Sequence, residues 1–250
     1  MIQNPFDAPD VRSRRGGRVK QPLSRDLVVA EALRQLKDDG LKGMSLRKVA
    51  AALDTGPASL YAYVDDLDAL HALVLDRALA NVDTRVNTKA DWRAQLCRVL
   101  ESYARTLSDS PGLAQLAFSR IAVGPHALRL TDTLLALLAE GGIDLATAAW
   151  AVDLLMLHVT ATVAEHSNGR EPAASDRGVT RAISGVSEAQ YPRLHAAREH
   201  MLSGTPHDRF GWAIEVLLQG ILQNPRGAVA TGRSRTVRAR RRARSRKQGR

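Results

Sequence analysis

Residues 45–64, SLRKVAAALDTGPASLYAYV, decide how the rest of the chain is read. Leu46, Val49, Ala50 and Leu53 recur at i, i+3, i+4 and i+7, one apolar face of a helix. Ser45 precedes that face as an N-cap, its hydroxyl placed to accept an unpaired N–H of the first turn. Asp54-Thr55-Gly56 breaks the pattern. Pro57 suits the first position of a second helix, where its missing N–H is not needed. Leu60 and Val64 are expected to pack that helix onto the first, leaving Ser59, Tyr61, Ala62 and Tyr63 outward. Two helices, a tight turn and a small polar-aromatic outer face describe a helix-turn-helix able to lay its second helix in a major groove. Taken alone, the stretch also fits an ordinary helical hairpin of an all-α core.

The flanks separate these readings. Upstream, LSRDLVVAEALRQLKDDGLKGMS forms an amphipathic helix over 24–39, stopped by Gly40. Its expected buried face is Leu27, Ala30, Leu33 and Leu36. Downstream, DDLDALHALVLDRAL starts a helix over about 66–82 with Leu67, Leu70, Leu73 and Val74 on one side. Residues 22–75 in this order resemble the N-terminal domain of the tetracycline-repressor (TetR) family of bacterial transcription regulators. The resemblance rests on Leu23-Ser24-Arg25, Ala32, Leu36, Gly40, Ser45 through Ala50, Leu53, Ser59-Leu60-Tyr61 and the Leu67–Leu73 helix. LYAYVDDLDAL is closer to the subgroup of the tetracycline repressor itself.

That resemblance implies a DNA-reading surface made of Arg47, Lys48, Thr55, Gly56, Pro57, Ser59, Tyr61 and Tyr63. Arg47 stands where family members reach a guanine edge, a job its forked donors suit. Lys48 is a phosphate candidate. Ser59 and Tyr61 match the recognition helix, and Tyr63 stands where many members carry His. Two departures matter. Asp54 replaces the usual turn glycine, although Asp tolerates left-handed backbone. Leu67, preceded by Asp65 and Asp66, stands where many members hold a phosphate with Lys.

Composition agrees with helices. The chain has 250 residues, 44% of them hydrophobic and only 4% aromatic, so strand-favouring residue types are scarce. A single cysteine, Cys97, excludes an internal disulfide and any multi-cysteine zinc site. No HExxH pair, glycine-rich phosphate loop or GxSxG elbow occurs, so nothing points to an enzyme, a metal or a cofactor. The N-terminus has no apolar signal-peptide core, which points to the cytoplasm. The net charge of +10 is concentrated at the ends. Residues 224–250 carry eleven Arg/Lys and no acid, residues 1–22 carry five basic and two acidic residues, and residues 23–223 are left at −4. Both ends read as disordered. The first is a basic arm able to lie along DNA, with Arg12, Arg14, Arg15, Arg18 and Lys20. The second is an Arg-rich tail expected to add non-specific affinity, with an average reach of about 26–31 Å. An architectural DNA protein working through these tails is the competing reading; it leaves the helix-turn-helix and the body without a task.

From Asp91 the apolar period is helical throughout, so the fold class is all-α. The expected division is a basic arm (1–22), a DNA-binding domain with linking helix (23–82), a helical regulatory and dimerisation domain (83–223) and the tail (224–250). Helices are expected at about 92–108, 112–120, 125–140, 144–166, 188–202 and 207–222, with a mobile loop over 167–187. Segment 144–166 is long enough to invite a membrane reading, but Asp153 and His158 near its middle favour a buried helix of a soluble bundle. In the family such a body binds a small ligand and forms a homodimer on a palindromic operator in double-stranded DNA. Tyr103, Phe118, Trp150, Asp153, Met156 and His158 are the expected lining for a small-molecule effector, aromatic walls with a few polar groups. Trp150, Leu154, Leu157, Ala161, Leu217 and Ile221 are the expected dimer interface, with internal core as the alternative role for each.

Overall fold

The computed structural model describes residues 5–6, 22–87, 89–110, 112–166 and 172–226. It is all-helical over these residues. Helix α1 spans Arg25–Asp39, α2 Leu46–Ala52, α3 Pro57–Leu60 and α4 Leu67–Leu79. The body follows with α5 Trp92–Ser108, α6 Leu113–Ser119, α7 Pro125–Glu140, α8 Leu145–His166, α9 Pro172–Ser184, α10 Pro192–Leu202 and α11 Pro206–Gln223.

Side-chain caps set most of the helix starts. Ser24 accepts from the Leu27 N–H at 3.2 Å, Ser45 from Lys48 at 3.3 Å, Asp66 from Ala69 at 2.7 Å and Asp91 from Ala94 at 2.9 Å. Thr205 and Asp208 form a reciprocal capping box at α11. Helix α1 ends at Gly40, whose φ of 69° favours glycine. A 3-10 turn, Leu41–Gly43, then leads to α2.

The buried face of α1 is rotated from expectation. Val28, Val29, Ala32 and Leu36 are buried, whereas Ala30 is exposed. The run Leu27-Val28-Val29-Ala30 is apolar at every position, so its period has no phase until α4 packs against it. The expected loop over 167–187 is also corrected, because 172–184 is helical. Helices α9 and α10 pack on each other, and no residue of α10 is buried.

Helix α8 lies against α5, α6, α7 and α11 and is a core helix of the bundle, although by length and composition it is apolar enough to cross a membrane. Its inner side carries Ala148, Ala151, Val152, Leu155 and Val159. Buried Tyr103 of α5 is tied to it, with the phenol oxygen 2.7 Å from Thr160 Oγ1. Burial pushes the Tyr103 hydroxyl above its ordinary pKa, against a smaller opposite effect of Thr160. Helix α4 packs on α1 at one side and on α5, α6 and α7 at the other, so it joins the N-terminal helices to the body. Of the two charged ends, Pro5, Phe6, Pro22 and residues 224–226 are described; Phe6 packs partly buried against the core, and the remaining expectations for both ends lie outside the described residues.

Candidate nucleic-acid interface

The helix-turn-helix is closed by one unusual residue. Asp54 has φ 49°, the left-handed geometry anticipated for this turn. It lets the Thr55 N–H return to the Ala50 carbonyl at 2.9 Å. Helix α3 is one turn long; the Tyr63 and Val64 N–H groups close onto Leu60 O at 2.8 and 3.0 Å. Leu60, Tyr63 and Val64 go inward.

Pro57, Ala58, Tyr61 and Ala62 form the outer surface, with Gly56 open beside them. Tyr61 is 56% exposed and Ser59 is half-buried. Arg47 is exposed on α2. Lys48 is exposed too, but its ammonium lies 3.4 Å from Asp39 Oδ2 at the end of α1. Both partners are solvated, so the pair is weak and leaves Lys48 available to a phosphate. The Thr55 side chain turns in; its Oγ1 is buried without a hydrogen-bond partner. Tyr63 corrects the sequence expectation. It is 7% exposed, and Arg25 Nε donates to its carbonyl at 3.3 Å. Because α3 stops at Leu60, the chain turns before residue 63 and carries that ring into the core.

Three contacts couple this surface to the body. Gly112, at φ 87°, begins α6 directly against the 3-10 turn: a Cβ there would lie 2.5 Å from the Leu41 nitrogen and 3.3 Å from Leu36 Cδ1. Buried Asp76 of α4 accepts from the His126 and Ala127 N–H groups, each at 3.0 Å, and so caps α7. A carboxylate at a helix N-terminus also complements its dipole. Arg120, just after α6, is ion-paired to Asp68 of α4. Neither Gly112 nor Asp76 carries a sequence signal beyond its residue type, since each role depends on a partner far along the chain.

The six expected ligand-lining residues do not converge. Tyr103 is buried with its hydroxyl engaged by Thr160. Trp150 is 60% exposed and lies under Arg226, whose guanidinium carbon sits 3.3 Å from the ring centroid. Asp153 is exposed, while Met156 and His158 are half-buried. At about 100° per residue, Trp150 and Asp153 point away from the side of α8 that carries Leu155 and Val159. Only Phe118 lines an open groove of about 330 Å³, together with Gln115, Ala161, Ala164 and Glu165 between α6 and α8.

The dimer candidates divide as well. Trp150, Leu154 and Leu157 are exposed along one strip of α8, with Ala161 half-buried in line with them. Leu217 is half-buried and Ile221 is 9% exposed, both against the core. The outward apolar residues of α11 are instead Trp212 (71% exposed) and Val216. Helix α11 carries two apolar strips, and only packing shows that Ile214, Leu218 and Ile221 form the inner one.

Known proteins share this arrangement. Residues 86–224 match the model of the tetracyclin repressor-like C-terminal domain. An HTH-type transcriptional regulator of Saccharopolyspora erythraea is 30% identical over 184 residues, 73% of this chain and 78% of that protein. The HTH-type transcriptional repressor DrrR1 of Streptomyces coeruleorubidus is 29% identical, covering 81% of this chain and 78% of its own. Among solved structures, the TetR family protein ActR of Streptomyces coelicolor superposes with a TM-score of 0.75 at 29% identity, over 82% of this chain and 97% of that one. A structure of ActR holds actinorhodin. The chain belongs to the tetracycline-repressor family and is a DNA-binding transcriptional regulator.

Proposed function

We propose that this regulator is a homodimeric repressor that leaves a palindromic operator when a small molecule binds its body. The observation that carries this reading is mechanical. The exposed Arg47–Tyr61 surface sits on helices that meet the body through α4 and through the abutment of Gly112 on Leu41. Any shift of α6 is therefore passed to the 3-10 turn between α1 and α2. In a dimer that shift changes the separation of two recognition elements, which must match half-sites about 34–36 Å apart, or a multiple of that spacing. Affinity falls with no base contact altered.

Within this scheme Arg47 reads a base edge, Tyr61 and Ser59 contact backbone and groove wall, and Pro57, Ala58 and Ala62 allow close approach by being small. Residues 23–82 form the DNA-binding unit and 83–223 the regulatory and dimerisation unit, acting in the cytoplasm. The α6–α8 groove at Phe118 and Ala161 is the starting point for effector binding, with α6 as its movable wall. ActR, which holds actinorhodin, supports an organic effector of that general kind. The reading needs neither a catalytic group nor a cofactor.

Selection of duplexes from a random pool tests it. The full chain is expected to enrich a two-fold symmetric sequence, and an Arg47→Ala, Tyr61→Ala double variant, shown by circular dichroism to be folded, is expected to enrich none. Enrichment of the same sequence by the folded double variant would place recognition elsewhere.

A further inference from the structure

We infer that the α6–α8 groove selects a flat aromatic cation, with the Glu165 carboxylate as its counter-ion and the Phe118 ring as its stacking wall. The inference rests on the reading of this groove as the effector site, and it adds the charge and shape of what the groove takes. The groove holds about 330 Å³ and is lined by Gln115, Phe118, Ala161, Ala164 and Glu165. Such a volume suits a small ring system, at the lower end of small-molecule sites.

Shape comes from the spacing of the lining. Ala164 and Glu165 lie three and four residues after Ala161, so all three share the side of α8 turned to α6. Gln115 and Phe118, three apart on α6, face them. The two alanines contribute one methyl group each, and α8 therefore offers a low floor on which a planar molecule lies close. Phe118 is 58% exposed, although Leu113, Ala114 and Leu116 of the same short helix are buried. A ring at the rim of a groove presents its face to a second ring.

Charge comes from three sources of one sign. Glu165 is exposed and is the charged member of the five described lining residues. It stands in the last turn of α8, which ends at His166, and Phe118 stands in the last turn of α6, which ends at Ser119. The carbonyls at helix C-termini carry partial negative charge, so both helix ends add to the carboxylate. The basic groups beside them are engaged elsewhere: Arg120 is ion-paired to Asp68 of α4, and His166 Nδ1 lies 2.6 Å from the Thr162 carbonyl oxygen of its own helix. A bound cation is drawn by all three negative sources and by the face of Phe118. An anion of the same shape is repelled by each. The Gln115 amide can serve either charge and does not decide between them. A metal ion is a poorer fit than an organic cation, since no group of three or more His, Cys, Asp or Glu able to hold one occurs among the described residues.

The test uses the full chain without DNA and two probes, naphthyltrimethylammonium and naphthoate, which share one ring system and differ in the sign of the charge. Calorimetric titration is expected to show the cation bound about tenfold more tightly than the anion, the scale of a partly solvated ion pair with a cation–aromatic contact. Glu165→Gln, which keeps the shape and removes the charge, is expected to lose most of that preference, and Glu165→Lys to reverse it. Phe118→Ala is expected to weaken both probes. Circular dichroism establishes that each variant is folded. Equal affinity of the parent for the two probes, tighter binding of naphthoate, binding of neither, or a Glu165→Gln protein that discriminates like the parent overturns the inference. The effector reading is scored separately, by operator release at saturating probe. Operator retained under Glu165-dependent binding of the cation supports the ligand class and counts against the groove as the inducing site; operator released by naphthoate alone overturns the ligand class and leaves the inducing site standing.

Discussion

Asp76 and Ala127 are joined by a 3.0 Å hydrogen bond from the Ala127 N–H to Asp76 Oδ1, and that bond fastens the linking helix α4 to the first turn of α7. The same oxygen also takes the His126 N–H at 3.0 Å. Gly124 makes room for it, since a Cβ there would lie 2.2 Å from the Asp76 carboxyl carbon. Asp76→Ala leaves two N–H groups at a largely buried helix end without this acceptor. A loss of about 1–3 kcal/mol is expected, with Asp76→Asn retaining part of the stability through its amide oxygen. Urea unfolding of the three proteins measures this; equal midpoints for parent and Asp76→Ala would show that water replaces the cap.

Gly112→Ala addresses the abutment of the body on the DNA-binding helices. The left-handed φ alone costs an alanine about 1–2 kcal/mol. Its Cβ would also sit 2.5 Å from the backbone nitrogen of Leu41, so one of the two segments must move. Operator affinity is expected to change although the substitution lies far from the Arg47–Tyr61 face. Unchanged affinity in a destabilised variant would show that this contact supports the fold without transmitting a signal.

Much of the N-terminal half was legible because its devices are local. Ser45 and Pro57 act on the next three residues, and Asp54 bends its own backbone. Legibility ends where one residue type serves two surfaces. Tyr63 and Tyr61 are alike in sequence, but α3 stops after Leu60 and sends one inward and the other out. Ile221 and Trp212 both belong to apolar strips of α11, and periodicity does not say which strip meets α8. The effector lining failed for a related reason: residues spaced along α8 point in different directions, whereas a pocket needs groups converging from several helices.

Arg47 and Tyr63 now separate recognition from folding. Arg47→Ala is expected to cost about 1–3 kcal/mol of operator binding per half-site with little change in unfolding. Tyr63→Ala removes a buried ring and is expected to cost about 3–5 kcal/mol of stability. Comparing binding isotherms with thermal unfolding checks both; an Arg47→Ala protein that binds like the parent would falsify the base contact.

His71 makes the stability depend on pH. It lies on α4 with its Nε2 buried and without a hydrogen-bond partner. Burial first, and the charge of Arg120 second, hold the imidazole below its ordinary value of 6.5, against a smaller upward effect of Asp68 and Asp66. The unfolded chain therefore binds this proton more tightly than the folded one. Stability is complete above about 6.5 and declines as pH falls through the folded-state value. His71→Gln is expected to lose less stability than the parent between neutral pH and about pH 5. Parallel curves for the two proteins would remove His71 as the cause.

The dimer interface is tested by charging the outer strips. Trp150, Leu154 and Leu157 on α8, with Trp212 and Val216 on α11, leave five large apolar side chains exposed in one chain. A stable two-fold interface needs about 800 Å² from each partner, and these strips supply an apolar centre for one. By symmetry a single Leu157→Glu puts two carboxylates into that centre, where burial without partners costs several kcal/mol per charge. The expected result in sedimentation is a folded monomer at micromolar concentration. Its operator affinity should drop steeply, because each free protomer then holds one half-site. Trp212→Glu should behave in the same way. Ile221→Ala acts differently: that side chain packs inward, so a loss of about 2–5 kcal/mol of stability is expected with the dimer retained. A Leu157→Glu protein that remains dimeric, beside an Ile221→Ala protein that dissociates, would reverse the assignment of the two strips and return α11 to the face first read from its sequence.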